Sequence, residues 1–172
     1  DYTLYAHWEG SESPEDPDEE KGLEHLSYSF GNNNQAFVYG WDYQIPLKIF
    51  QNIWGDTAMA KYWHIQQGSW RGNCYGMAAT SGMFNTKSSG AEVQKFNVNA
   101  NEVCDLKIED LNSDWNMNVC EFIETLFVSQ NNYTIQREYH DNKDKLSELC
   151  NIVKNGKELL LIAVFGEEGG HA

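Results

Sequence analysis

Two short segments carry the residue types that nucleophilic catalysis needs: Gln66-Gln67-Gly68-Ser69-Trp70-Arg71-Gly72-Asn73-Cys74-Tyr75-Gly76-Met77-Ala78-Ala79 and, near the far end, Gly169-Gly170-His171-Ala172. A cysteine attacks as its thiolate, so it must sit beside a cation, at a helix N-terminus, or both. Cys74 follows a polar, glycine-rich approach and precedes Met77, Ala78, Ser81 and Phe84 at the spacing of an amphipathic helix. That spacing predicts a helix with the sulfur in its first turn and Asn73 as N-cap. A helix terminus favours an anion by only about 0.3–1 kcal/mol, so an imidazolium must supply most of the activation.

The chain offers five histidines for that purpose. His171, approached by two glycines, is the candidate base. His64 stands closer in sequence, but a helix over residues 56–65 makes it a packing or surface residue. His7, His25 and His140 lie in polar surroundings with no evident partner. Each candidate also has a plainer reading. A cysteine on a helix of small residues is commonly a packed core thiol, and a histidine beside glycines is commonly an exposed loop residue. The two segments taken together favour chemistry.

The Gln66–Ala79 segment resembles the active-site segment of the papain-like cysteine peptidases, in which a glutamine precedes Gly-Ser, a Gly-X pair and a cysteine that begins the central helix. Leu159-Leu160-Leu161-Ile162-Ala163-Val164, followed by Gly169-Gly170-His171-Ala172, is similar to that family's entry into its β domain. The resemblance implies an α+β, papain-like fold with Cys74 as nucleophile, His171 as its base and acid, and the Gln67 side chain with the Cys74 N–H as oxyanion donors. It implies a protein or peptide substrate and no cofactor or metal. Three departures stand out. The family's glutamine lies one position nearer the cysteine than Gln67, which stands seven residues before Cys74, and Gln66 competes for the same assignment. Trp70 stands where many members carry a disulfide-forming cysteine. The sequence ends one residue past His171, before any residue that would orient the imidazole, and so reads as a fragment of a longer chain.

Other segments set the organisation. Asp1-Tyr2-Thr3-Leu4-Tyr5-Ala6-His7-Trp8 alternates like a strand and resembles the closing strand of the internalin-type repeat of bacterial cell-surface proteins. Residues 1–8 then read as the end of a repeat module, 9–21 as an acidic, Pro-containing linker, and 22–172 as the peptidase-like domain. Within that domain, 22–65 is a structural N-terminal extension or a propeptide-like segment, and 66–172 is the catalytic part, incomplete at its C-terminus. This organisation implies a secreted or surface-attached bacterial protein whose neighbour is a surface-repeat domain.

The elements that must position the site follow from periodicity. Pro46, Leu47, Ile49, Phe50, Ile53 and Trp54 mark a helix that Gly55 stops, and a second helix is expected over 56–65. Leu26 to Tyr43 reads as loops or short strands. Val103 to Ile108 alternates, predicting a half-buried strand or extended segment with Cys104, Leu106 and Ile108 on one side. Val119, Phe122, Ile123, Leu126 and Phe127 form a helix face, and Leu146, Leu149, Cys150 and Val153 another, ended by Gly156. The run from Glu158 to Phe165 reads as a buried strand, so helices come first and sheet later.

Composition narrows the classes. A net charge of −14 without a basic patch excludes a nucleic-acid binder of the usual kind. No apolar run is long enough to cross a membrane, and no leader-peptide pattern opens the sequence. The four cysteines, Cys74, Cys104, Cys120 and Cys150, show neither a CxxC nor a zinc-type Cys/His spacing, and nothing in their placement predicts a bridge. Two other classes fit the same residues: a papain-like binding or adhesion module without turnover, and a cell-wall amidase or transglutaminase-like acyl transferase.

Overall fold

A computed structural model describes residues 23–33, 36–37, 43–68, 72–86, 89–131, 164–166 and 169–171, the last two segments as backbone. The repeat-like stub at 1–8, the linker at 9–21, His7, His140, Trp70, Cys150, the stripe from Leu146 to Val153 and most of the expected strand from Glu158 lie outside the described residues. The fold is mixed and helix-rich, with four α-helices and two small antiparallel hairpins among the described residues.

Helix α1 spans Leu47–Trp54 and buries Ile49 and Phe50. Pro46 precedes it in extended conformation as N-cap, and Gly55, at φ 66°, ends it in the left-handed region that glycine tolerates best. Helix α2 runs over Ala58–Gln66, two residues later at its start than expected, because Thr57 caps it by accepting a hydrogen bond from the Ala60 N–H. Helix α3 spans Cys74–Phe84 and α4 spans Val119–Ser129. The N-terminus of α4 is held by a capping box in which Asn118 and Glu121 exchange side-chain-to-backbone hydrogen bonds.

Helix α4 is the central strut, packing against both α3 and α1. Its Val119, Phe122 and Ile123 join Tyr28, Phe37, Val93, Phe96, Val103 and Leu106 in one apolar cluster. Val128, one turn further on, joins Ile45, Ile49, Phe50 and Ala60 in a second. Polar groups on α4 that burial would otherwise strand are partnered. Glu124, 1% exposed, accepts from the Tyr43 hydroxyl at 2.6 Å, and Thr125 accepts from Asn52 Nδ2 at 3.0 Å. Residues 23–65 therefore contribute to both clusters.

Between α3 and α4 the chain makes 3₁₀ turns at Val93–Lys95 and Val103–Asp105 and a hairpin of β1, Leu111–Asn112, with β2, Met117–Asn118. The strand expected over Val103–Ile108 is thus replaced by a 3₁₀ turn. Glu102 and Asp105 exchange a capping box, which winds the backbone so that Val103 and Leu106, three apart, share the buried side while Cys104 is half-buried. The hairpin turn is stabilised by buried Asn112, whose Oδ1 accepts from the N–H groups of Asp114 and Trp115. Sheet is consequently found before α4 as well as after it. At the C-terminal end β3, Val164–Gly166, pairs with β4, Gly169–His171, in the register Val164 to His171 and Gly166 to Gly169.

The face that α3 buries differs from the one its periodicity predicts. Gly76, Ala79 and Thr80 are buried, whereas Met77 and Phe84 are partly buried against the cluster's edge. A Cβ at position 76 would stand 2.1 Å from the Ile123 carbonyl oxygen of α4, so only glycine permits this approach. Gly76→Ala gains about 1 kcal/mol of helix propensity. The clash with backbone atoms that cannot rotate away outweighs it, and we expect a net loss of about 1–3 kcal/mol in chemical denaturation.

Candidate active site

Cys74 is the first residue of α3, where the helix leaves its N–H groups without intrahelical partners. Its thiol is free and half-buried. Asn73 takes the N-cap position at φ −114° and ψ 30°, and its carbonyl accepts from the Met77 N–H at 2.9 Å. The expected side-chain cap is not made. Asn73 is fully buried, and among the described residues both polar atoms of its carboxamide lack hydrogen-bond partners. An unmet buried polar group costs about 1–3 kcal/mol, so this residue holds a strained place beside the candidate nucleophile.

The entrance to α3 is held from a distance instead. Asn32 Oδ1 accepts from the Asn73 N–H at 2.6 Å. Gly72 adopts φ +117°, and a Cβ there would lie 2.7 Å from Asn32 Nδ2. One turn into the helix, Thr80 Oγ1 donates to the Gly76 carbonyl and accepts from the buried Tyr28 hydroxyl at 2.8 Å. Burial, partly offset by that hydrogen bond, pushes the Tyr28 phenol well above the usual tyrosine range. Ser81 donates to the Leu26 carbonyl. Three hydrogen bonds thus tie α3 to the segment around Tyr28.

Gln67 is partly buried and committed to structure. Its Oε1 accepts from the Ile45 N–H at 2.8 Å, and its Nε2 donates to the carbonyls of Ile45 at 2.9 Å and His64 at 3.0 Å. Both amide hydrogens are therefore in use. The side chain mimics a neighbouring strand for the backbone that leads into α1. Gln66 is exposed. His64 packs edge-on against Phe50 with ring centroids 5.6 Å apart, as a packing residue would. His171 lies on β4 opposite Val164, and its side chain is outside what the structure describes, as is its relation to Cys74. His25 closes the 3₁₀ turn Leu23–Leu26.

A cleft of about 400 Å³ adjoins the loop before Cys74, lined by Gln66, Gln67, Gly68 and Gly72 on one side and Trp63, Phe127 and Gln130 on another. Among the described residues no group of three or more His, Cys, Asp and Glu could hold a metal ion, and no helix is long and apolar enough to cross a membrane. Cys104 and Cys120 are both half-buried. Desolvation first, then the carboxylates of Asp105 and Glu102, raise the Cys104 pKa, and its sulfur lies 3.7 Å from Glu102 Oε2. No family model matches the chain, and neither a curated protein nor a solved structure matches it.

Sequence reasoning missed Asn32. The signal was faint: an Asn-rich turn after an aromatic pair, separated from Cys74 by residues whose fold periodicity does not reveal.

Two outcomes follow from these contacts. Gln67→Ala removes three hydrogen bonds at a partly buried place and should lower stability by about 1–3 kcal/mol in a denaturant titration. Alkylation of Cys104 should rise with pH only above the range of an ordinary thiol, about 8.5. Because a raised pKa means less thiolate at a given pH, Glu102→Gln, which keeps an acceptor for the capping box but removes the charge, should move that profile to lower pH in peptide mass spectrometry.

Proposed function

We propose that the chain is part of a papain-like cysteine peptidase in which Cys74 is the nucleophile and His171 its base. The observation that carries this reading is a free, partly accessible thiol on the first residue of a buried α-helix, where unpaired N–H groups favour an anion. The Cys74 thiolate adds to a peptide carbonyl, and the resulting oxyanion is held by the Cys74 backbone N–H. Collapse expels the amine, which takes a proton from the His171 imidazolium, and leaves a thioester. Water, deprotonated by the now neutral His171, adds to the thioester. Loss of the acid regenerates the thiolate. The residues need no cofactor for this chemistry. The stub at 1–8 and the acidic linker support a secreted or surface-attached bacterial protein in which this unit follows a repeat module.

A second reading has its own support. The amide hydrogens of Gln67 are spent on Ile45 and His64, and a missing oxyanion donor weakens turnover by about 2.7–4 kcal/mol without harming the fold. A papain-like module that binds rather than cleaves agrees with that arrangement.

Alkylation by iodoacetamide at neutral pH, followed peptide by peptide, separates the two. For the peptidase, Cys74 should react at least about tenfold faster than Cys104 and Cys120 and lose that excess in His171→Ala. Equal, slow reaction of Cys74 in both proteins would sink the nucleophile and leave the binding module.

A further inference from the structure

The entrance of α3 raises a question of mechanics. A cysteine that opens a helix is usually aimed by its N-cap, but the carboxamide of Asn73 caps nothing and the residue is fully buried. Among the described residues, the side-chain hydrogen bond that reaches residues 72–74 comes from Asn32, 41 positions earlier in the chain. Its Oδ1 accepts from the Asn73 N–H at 2.6 Å, in the Gly72–Asn73 peptide, one peptide group before the one that joins Asn73 to Cys74. Its Nδ2 occupies the space where a side chain on Gly72 would lie, so the φ of +117° at Gly72 and the seat of Asn32 are one fitted arrangement.

Asn32 is itself firmly presented. On one side Phe30 packs on Tyr28 with ring centroids 4.8 Å apart. On the other, Asn33 Oδ1 accepts from the Ala36 N–H at 3.0 Å in an Asx turn, and the Phe37 N–H donates to the Asn33 carbonyl at 3.2 Å. Phe37 is 2% exposed and meets Phe30 edge-on at 6.1 Å. Aromatic anchors in the core therefore bracket an exposed carboxamide whose visible hydrogen bond goes to the backbone of the candidate nucleophile's approach.

We infer that Asn32 is a positioning residue for Cys74: by holding the Asn73 peptide it sets the directions of the Cys74 N–H and thiol. The inference rests on the reading of Cys74 as a nucleophile. Asn32 touches neither substrate nor thiol and acts through the Gly72–Asn73 backbone, a distance at which a displacement of about an ångström costs up to roughly a hundredfold in rate.

The test uses the full chain and two variants, Asn32→Ala, which removes the acceptor, and Asn32→Asp, which keeps it at an exposed place where solvent screens the added charge. Two quantities are read: the iodoacetamide rate of Cys74 relative to Cys104 and Cys120, and hydrogen exchange at the Asn73 amide. Asn32→Ala should cut the relative rate of Cys74 by roughly ten- to a hundredfold and release the Asn73 amide, with Cys104 and Cys120 unchanged. Asn32→Asp should restore most of both, and this rescue is read even where the alanine variant fails to fold. A normal Cys74 rate with an exposed Asn73 amide would overturn the positioning role while leaving the nucleophile intact, as would a slowing shared by all three cysteines. Absence of any Cys74 excess in the unaltered protein would instead overturn the nucleophile reading and this inference with it.

Discussion

The contact on which the rest of the structure depends is the approach of α3 to α4 at Gly76, where the space for a side chain is taken by the Ile123 carbonyl. At this point the two helices meet backbone to backbone, and further along α3 the ring of Phe84 packs edge-on against Phe122 of α4, centroids 5.7 Å apart. Ala79 and Thr80 of α3 are buried as well. The seam also sets the height of the first turn of α3, so the position of Cys74 is a consequence of helix packing. A helix held at this separation tolerates little volume change, since packed interiors have few voids to absorb it.

Around that seam the protein solves a second problem, the satisfaction of polar groups on buried helices. Glu124 and Thr125 on α4 are met by Tyr43 and Asn52, Thr80 on α3 by Tyr28, and the backbone leading into α1 by Gln67. These partners come from residues 28–67, so the segment before the candidate site supplies its polar scaffolding as well as most of the second apolar cluster. Among the described residues Asn73 departs from this pattern, with a buried carboxamide that has no hydrogen-bond partner. It stands next to the candidate nucleophile, at a place where an unmet buried polar group works against stability.

Local readings succeeded where one interaction range decided the outcome. The ends of α1, set by Pro46 and Gly55, and the apolar face of α4 were legible because caps and 3.6-residue periodicity act within a few residues. The strand expected at Val103–Ile108 failed because alternation over so few positions does not distinguish a strand from a 3₁₀ turn in which Val103 and Leu106 are buried, and the capping carboxylates of Glu102 and Asp105 decided for the turn. Asn73 was legible as an N-cap by position and not by function, since its side chain was claimed by burial before it could reach the first turn.

What the sequence determined by itself is the chemistry on offer: a cysteine after a glycine-rich approach at the start of a helix, a distant histidine, and a net charge of −14. What only the tertiary structure decided is which groups are free to act. It bound the Gln67 amide to Ile45 and His64, buried the Asn73 carboxamide without a partner among the described residues, and brought Asn32 to the Asn73 N–H. The physical reason is one of range. Helix caps and periodicity are read from neighbours along the chain, whereas a hydrogen bond across 41 residues exists only after the aromatic core has brought its two ends together.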